Sequence, residues 1–454
     1  CYCNGEEISL INYTIFLCSV VPFTIFSAFI LSSIFVEKYV WRPYVKESLM
    51  ECVDMINEGE KEEKKEIYTD KYKLEMDEEE ETRDEIFYKT ICVIENTPRG
   101  NVIMKYNKKD EIWEYYADKK YKNSITFDEL DKLSSVISRF LIQEYSIKKG
   151  EVVSIQFGNS IAFVIYFIAV IRSGYIVNPI PVSATNHEVN LILENLHGKL
   201  LVTQNIYENK MYCPMLHQSS DLNDINVYFK DFDFSSINYE KNQSITCVFL
   251  SSGSSGVVPK GIAHSNEVLI KTAFNFSSRL NFSPDSMHLA FLPCGNTSFI
   301  GHSLLPMLVM GGCLLIAPNY ISISRKIWNI IDENNVDFVQ VVPVIADAMR
   351  KSYLDVSNKN KRVLKYVSSG SAPLSIKQQD EFIKATSLDL VNTYGLSETG
   401  AIFFNLPGKD NYDMHSIGTP MQNVKVKINS INNNNFGELL VKSDTLFYGY
   451  YSNG

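Results

Sequence analysis

The sequence has little of what marks several large classes of protein. Glycine and proline number only 22 and 15 in 454 residues, too few for a collagen-like or low-complexity chain. No segment recurs at the period of a solenoid or a propeller. The nine cysteines (Cys1, Cys3, Cys18, Cys52, Cys92, Cys213, Cys247, Cys294 and Cys313) fall in no metal-binding spacing, Cys1-x-Cys3 being too short and isolated for a zinc site. An odd number in a long chain is not a secreted disulfide framework either, so they read as reduced thiols, mostly small core residues. Positive charge is also in deficit. The net charge of -10 argues against a nucleic-acid partner. That acidity is local: residues 58–85 hold fourteen acids and six bases, leaving the rest of the chain near neutrality.

With 45% apolar and 21% charged residues, the composition is that of a folded globular protein. Its length suggests more than one structural unit. Residues 8–36 contain no charged side chain over 29 positions. About 20 helical residues already cross a bilayer core of roughly 30 Å. Pro22 is tolerable there, because neighbouring groups re-satisfy the freed carbonyl. Lys38, Arg42 and Lys46 follow the run, with Tyr39 and Trp41 suited to an interface. The positive-inside rule then sets the expectation of a single transmembrane helix contacting the lipid bilayer, everything downstream facing the cytoplasm. A signal peptide would want a basic start and a shorter apolar core. Residues 37–85 are expected to be a charged cytosolic linker, since the acidic part cannot bury enough apolar surface to order itself.

From residue 86 the texture changes to short apolar runs alternating with amphipathic stretches. Thr126-Phe-Asp-Glu-Leu130 opens a helix over 125–145 with Leu130, Leu133, Ile137, Phe140 and Leu141 on one face. A helix over 161–171 ends near Gly174. Strands are expected at 152–157, 200–202, 246–250, 288–292, 313–316, 338–341 and 364–367. Strands alternating with helices imply an α/β fold of mostly parallel sheets covered on both faces. Ligands in such folds lie beyond the carboxyl ends of strands.

Four segments carry chemistry. The first, Leu250-Ser-Ser-Gly-Ser-Ser-Gly-Val-Val-Pro-Lys-Gly261, follows an expected strand. Gly253 and Gly256 let backbone amides approach a polyanion; Ser251, Ser252, Ser254 and Ser255 can donate to phosphate oxygens, and Lys260 supplies charge. The spacing is not that of a Walker loop. In the second, Asn392-Thr-Tyr-Gly-Leu-Ser-Glu-Thr-Gly400, Glu398 can hold Mg²⁺, Ser397 can reach a phosphate and Tyr394 offers a flat face; a plain turn at Gly395 is the competing reading. The third is the small-residue run Ser368-Ser-Gly-Ser-Ala-Pro-Leu374. The fourth is Gly437-Glu-Leu-Leu-Val-Lys-Ser443, followed by Gly449-Tyr-Tyr451.

Together, in this order, the four segments resemble the AMP-forming adenylating superfamily of acyl-CoA synthetases, coumarate-CoA ligases, luciferases and peptide-synthetase adenylation domains. His415-Ser-Ile-Gly-Thr-Pro420 is similar to a further family segment. The resemblance implies the large N-terminal domain of the adenylate-forming fold over residues 86–454, with a smaller β subdomain. It implies ATP, Mg²⁺ and coenzyme A as cofactors, and a carboxylic acid converted to an acyl-adenylate and then a thioester. Carried over by position, Ser251, Ser252, Gly253, Ser254, Ser255, Gly256 and Lys260 would grip the phosphates. Gly370, Ser371 and Ala372 would border the adenine, Tyr394 and Gly395 would face it, Ser397 would hold the α-phosphate and Glu398 the metal. Lys260, Ser397 and Glu398 are thus the catalytic candidates. Asn296, His302, Val341 and Gly370 are the candidates for the acid, a medium- or long-chain fatty acid being the leading expectation because of the membrane anchor.

Three departures accompany the resemblance. Val257, Val258 and Pro259 put three residues before Lys260 where the family has two, an insertion able to displace the lysine. Asn296 stands where the family has a histidine, and His302 nearby reads more as ordinary structure than as a replacement. The motif supplying a ribose-binding Asp and the C-terminal lobe with its catalytic Lys do not occur before Gly454. Those features, with the Cys at position 1, set the expectation of a fragment with weak turnover by itself. Two alternatives stay open: a coumarate-ligase-like or luciferase-like enzyme on another acid, and a non-catalytic membrane-bound relative that binds acyl or nucleotide ligands.

Overall fold

A computed structural model describes residues 2–3, 6–7, 90–93, 103–107, 112–116 and 123–451, except 208, 231–244, 252–258, 354–362, 409–411 and 431–436. The expected membrane helix at 8–36 and the linker at 37–85 lie outside the described residues. Among the described residues, no helix is long and apolar enough to cross a membrane.

Two mixed sheets dominate. The seven-stranded sheet runs in the order Met215–His217, Leu200–Thr203, Val152–Gln156, Ile176–Pro179, Cys247–Ser251, Lys260–His264 and Gly449–Tyr451. The first five are parallel; Lys260–His264 is antiparallel to both of its neighbours. The nine-stranded sheet runs Thr419–Pro420, Gly400–Phe404, Asp389–Leu396, Tyr366–Ser369, Phe338–Val341, Met287–Ala290, Cys313–Ile316, Thr90–Val93 and Asn123–Thr126, with six parallel strands in the middle and antiparallel strands at both ends. Parallel strands buried on both faces explain the continuous apolar runs such as Cys313–Ile316, buried throughout. The smaller β part is, among the described residues, a two-stranded hairpin of Lys425–Ser430 with Gly437–Lys442.

Local chemistry explains the helix boundaries. Thr126 and Glu129 form a capping box at the start of helix Phe127–Glu144, satisfying two amides that the helix cannot pair itself. Helix Ile161–Arg172 is apolar on nearly every side because it packs between the sheets; Ser160 caps it and Gly174, at φ 78°, turns the chain out of it. A second core lies under Ile327–Glu333, Pro343–Lys351 and Ile376–Thr386. The expected strand at 364–367 forms two residues later, at Tyr366–Ser369, and the one at 246–250 extends through Ser251.

The sheets are tied at Asn159, just beyond the carboxyl end of Val152–Gln156. Its amide donates to the carbonyls of Leu292 (2.9 Å) and Ala317 (3.1 Å), and its Oδ1 accepts from the Cys294 amide at 2.8 Å. Leu292 and Ala317 follow two strands of the nine-stranded sheet, so one side chain from the seven-stranded sheet satisfies three backbone groups at the edge of the other. Cys294 lies buried here with its thiol donating to the Phe157 carbonyl.

Candidate functional site

Ser251 and Lys260 are direct partners in the antiparallel pair Cys247–Ser251 and Lys260–His264. The three-residue spacing before Lys260 therefore leaves the lysine in register with the end of the preceding strand. Ser252, Gly253, Ser254, Ser255 and Gly256, together with Val257 and Val258, lie outside the described residues. The Lys260 side chain is exposed, with Nζ 5.3 Å from the centre of the Tyr450 ring, a cation–π placement.

The Tyr450 hydroxyl in turn donates to Glu398 Oε1 at 3.0 Å. Glu398 sits in the turn between strands Asp389–Leu396 and Gly400–Phe404. The competing reading of a turn at Gly395 is corrected: Gly395 is in the strand, at a register shift after Tyr394, and the turn follows it. A Cβ at Gly395 would lie 2.0 Å from the Gly400 carbonyl, so only glycine lets the two strands meet. Tyr394 is partly buried, edge-on to Phe403 at 6.0 Å.

The turn is clamped from three sides. Phe447 donates its amide to the Glu398 carbonyl at 2.8 Å, Thr445 Oγ1 donates to the Thr399 carbonyl at 3.1 Å, and Thr399 Oγ1 accepts from the Leu396 amide at 3.0 Å. Ser397 Oγ is 3.3 Å from Thr297 Oγ1. His264, at the far end of the strand that Lys260 begins, meets the Ser397 carbonyl through Nε2 at 2.9 Å. A carbonyl only accepts, so Nε2 carries the proton and Nδ1 is the bare nitrogen, buried without a partner. Burial pulls the His264 pKa below the usual histidine range, outweighing that hydrogen bond and the nearby Glu398, so the ring is neutral at pH 7.

Gly370 follows strand Tyr366–Ser369. A Cβ there would come within 2.9 Å of Gln340 Nε2 and 3.0 Å of the Thr393 carbonyl, and the next residue, Ser371, adopts a left-handed φ of 63°. Ala372 is partly buried beside it. Val341 is fully buried in the second core, and in register with Ser369. Asn296 is exposed at the head of Thr297–Phe299, without capping that helix through its side chain. His302 lies in a π-helical turn, Ile300–Leu304, stacked on Phe276 at 4.5 Å. Burial pushes its pKa down to about 4.

The structure thus brings together Lys260, Ser397 and Glu398, and sets Gly370, Tyr394 and Val341 at adjacent strand ends. His264, Thr297, Asn159 and Gln340 were not singled out by sequence reasoning, and Tyr450 entered only as part of the segment 449–451. His264 had one legible signal, the strand alternation that puts it on the same face as Lys260; the contact of Tyr450 with Glu398 had none, because the two are 52 residues apart. No group of three or more His, Cys, Asp or Glu side chains able to hold a metal is present among the described residues. Glu398, with one carboxylate oxygen bonded to Tyr450, suits a hard cation that takes most of its oxygens from phosphate and water.

The AMP-binding enzyme family matches residues 105–451, and the chain belongs to that family. The sequence is 24% identical over 365 residues to 4-coumarate–CoA ligase-like 6 of Arabidopsis thaliana, covering 73% of this chain and 62% of that protein. It is 22% identical over 353 residues to an oxalate–CoA ligase of the same plant, covering 73% and 68%. Among solved structures, apo MatB from Rhodopseudomonas palustris superposes with a TM-score of 0.63 at 17% identity, over 72% of this chain and 67% of that one. The O-succinylbenzoate coenzyme A synthetase of Bacillus subtilis, in complex with AMP, gives 0.62 at 18%, over 73% and 84%. The fold is therefore that of adenylate-forming enzymes, and the chain spans about three-fifths of the coumarate-ligase-like relative.

Proposed function

We propose that the protein activates a carboxylic acid with ATP, releasing pyrophosphate, and passes the acyl group from the resulting adenylate to the thiol of coenzyme A. The observation that carries this reading is the Lys260–Tyr450–Glu398 arrangement beside Ser397 at the ends of two sheets. In the first step an acid oxygen bonds to the α-phosphorus as its bond to the pyrophosphate oxygen breaks. Negative charge builds on the phosphate oxygens, and the protein's task is to hold and neutralise them in line. Lys260 supplies a fixed positive charge toward the leaving phosphates. Ser397 offers a hydroxyl to the α-phosphate, from a turn locked by His264, Phe447 and Thr445. Glu398 would hold Mg²⁺, which supplies further charge neutralisation when bound. In the second step the thiol sulfur bonds to the acyl carbon and AMP leaves.

Two readings of the acid follow. The apolar run at residues 8–36, proposed to cross a membrane once with the remainder in the cytoplasm, would hold the domain where medium- and long-chain fatty acids partition. The likeness to a 4-coumarate–CoA ligase-like protein and to an oxalate–CoA ligase favours a more polar acid instead. Acid-dependent exchange between ATP and labelled pyrophosphate, measured on the full-length protein, tests the activity. Exchange that fails with every acid, in folded protein that still binds nucleotide, would favour the non-catalytic reading. Protease protection in sealed vesicles tests the membrane topology: cleavage of the large domain from the lumenal side would overturn it.

A further inference from the structure

We propose that Thr297 is a positioning residue for the reaction: its hydroxyl holds the Ser397 side chain in the rotamer that presents a proton to the α-phosphate. This rests on the adenylation reading above, in which Ser397 meets that phosphate, and adds the group that aims it.

A serine hydroxyl swings among three staggered rotamers, and fixing its backbone does not choose one of them. The clamps on this turn act on its backbone: His264 Nε2 donates to the Ser397 carbonyl at 2.9 Å, and the Phe447 amide to the Glu398 carbonyl at 2.8 Å. The Ser397 hydroxyl itself is met by Thr297 Oγ1, at 3.3 Å.

Thr297 is the fixed member of this pair. It is β-branched, so its side chain is stiff about χ1. It opens the helical run that continues through Ile300–Leu304 and Leu305–Met310, and Phe299 and Ile300, just after it, are buried in the main core. Before it the chain is pinned at Cys294, whose amide donates to Asn159 Oδ1 at 2.8 Å and whose thiol donates to the Phe157 carbonyl. The Asn296 amide closes a turn onto the Pro293 carbonyl at 3.0 Å. A shared neighbour keeps this segment beside the turn. The methyl group of Thr272, on helix Asn266–Leu280, would lie 3.6 Å from a Cβ at Gly301 and 2.9 Å from one at Gly400.

The direction of the bond follows from what each hydroxyl must do. A hydroxyl has one proton and two lone pairs. With Thr297 donating, Ser397 accepts and keeps its own proton for a phosphate oxygen, and the bond polarises that O–H. The reverse direction would turn the Ser397 proton into the protein, and an anion at Ser397 selects against it.

The test is a double-mutant cycle on the full-length protein, read as acid-dependent ATP–pyrophosphate exchange and as the thermal shift induced by AMP. Thr297→Val keeps the shape and removes the hydroxyl. It should lower kcat by about five- to tenfold, the effect of one neutral hydrogen bond, with the KM for ATP changed by less than about twofold. Thr297→Ser, which keeps the hydroxyl, should retain most of the rate. With Ser397→Ala already in place, Thr297→Val should change nothing further, because Thr297 acts through that hydroxyl. A wild-type rate in Thr297→Val, equal losses in Thr297→Val and Thr297→Ser, or losses that multiply in the double variant overturn the proposal. Absence of exchange with every acid in the wild type would sink the adenylation reading instead. The AMP shift then decides: a shift reduced equally by Thr297→Val, Ser397→Ala and their combination supports the aimed hydroxyl. No shift, or one unmoved by Thr297→Val, overturns it.

Discussion

At the scale of single residues, the site depends on side chains that contact each other across long stretches of sequence. Tyr450 both faces Lys260 and donates to Glu398, so it positions two charged groups at once. Replacing Tyr450 by Phe keeps the ring under Lys260 and removes only the hydroxyl. The expected outcome is about a fivefold rise in the Mg²⁺ concentration needed for half-maximal exchange, the effect of one hydrogen bond to a charged group at an exposed position. Glu398→Gln should reduce exchange by roughly 100-fold, as expected for loss of a group that stabilises charge in the transition state. An unchanged rate in Glu398→Gln would remove this carboxylate from the chemistry. His288 illustrates the opposite case. It is completely buried between Phe282 and Phe338, and both ring nitrogens lack partners. His288→Leu replaces an unsatisfied polar ring by an apolar side chain and should raise the melting temperature, by the equivalent of about 1 kcal/mol. A lower melting temperature would mean that the ring makes a bond absent from this structure.

At the scale of elements, the turn bearing Ser397 and Glu398 is held to the strand that begins at Lys260 by one histidine. His264→Ala removes the Nε2 bond to the Ser397 carbonyl and opens space beside Phe249, whose ring meets the imidazole at 5.4 Å. Exchange should fall about tenfold while nucleotide binding weakens less, since the turn loses placement rather than charge. His264→Gln, which can still donate to the carbonyl, should recover part of the rate; equal losses in both variants would point to general destabilisation. The capping boxes at Thr126, Thr185 and Ser375 show how such elements start, and each was open to sequence reasoning because its partners are three residues apart.

At the scale of the whole molecule, stability should depend on pH through buried histidines. Burial lowers the pKa of His264, His288 and His302, the last to about 4 from an ordinary 6.5. The unfolded chain then binds protons below about pH 6.5 that the folded chain refuses, so stability is present above that pH and is lost as pH falls toward 4. For His302 the loss amounts to ~3 kcal/mol. Asp337 works in the opposite sense: burial raises its carboxyl to about 6, so the folded state takes up a proton earlier and gains stability between pH 6 and 4. Burial also raises the Asp389 carboxyl, and three lowered histidines against two raised aspartates leave a net fall in melting temperature between pH 7 and 5. His288→Leu should flatten that slope; a slope unchanged in the variant would assign the acid sensitivity elsewhere. The sheet junction provides a second measure. Asn159→Leu strands the Leu292 and Ala317 carbonyls and the Cys294 amide, and should cost about 3 kcal/mol in unfolding free energy by denaturant titration.

The alternation of apolar strands and amphipathic helices, the capped start at Thr126, and the glycine-rich segment placed after a buried strand were legible in the sequence. Each depends on interactions within a few residues, whose periodicity and hydrogen bonding are written locally. So was the identity of Lys260, Ser397 and Glu398 as the charged and hydroxylic candidates, since short motifs carry their own spacing. The sequence did not show that strand Cys247–Ser251 continues through Ser251, which keeps Lys260 in register despite the added loop residue. Nor did it show that Gly395 belongs to a strand, because the requirement for glycine comes from the Gly400 backbone in the facing strand. Tyr450 on Glu398, His264 under Ser397, Asn159 between the sheets and Gln340 beside His302 were decided only by tertiary structure. Their partners are separated by 38 residues or more, and no local pattern records which strand ends the folded sheets will bring together.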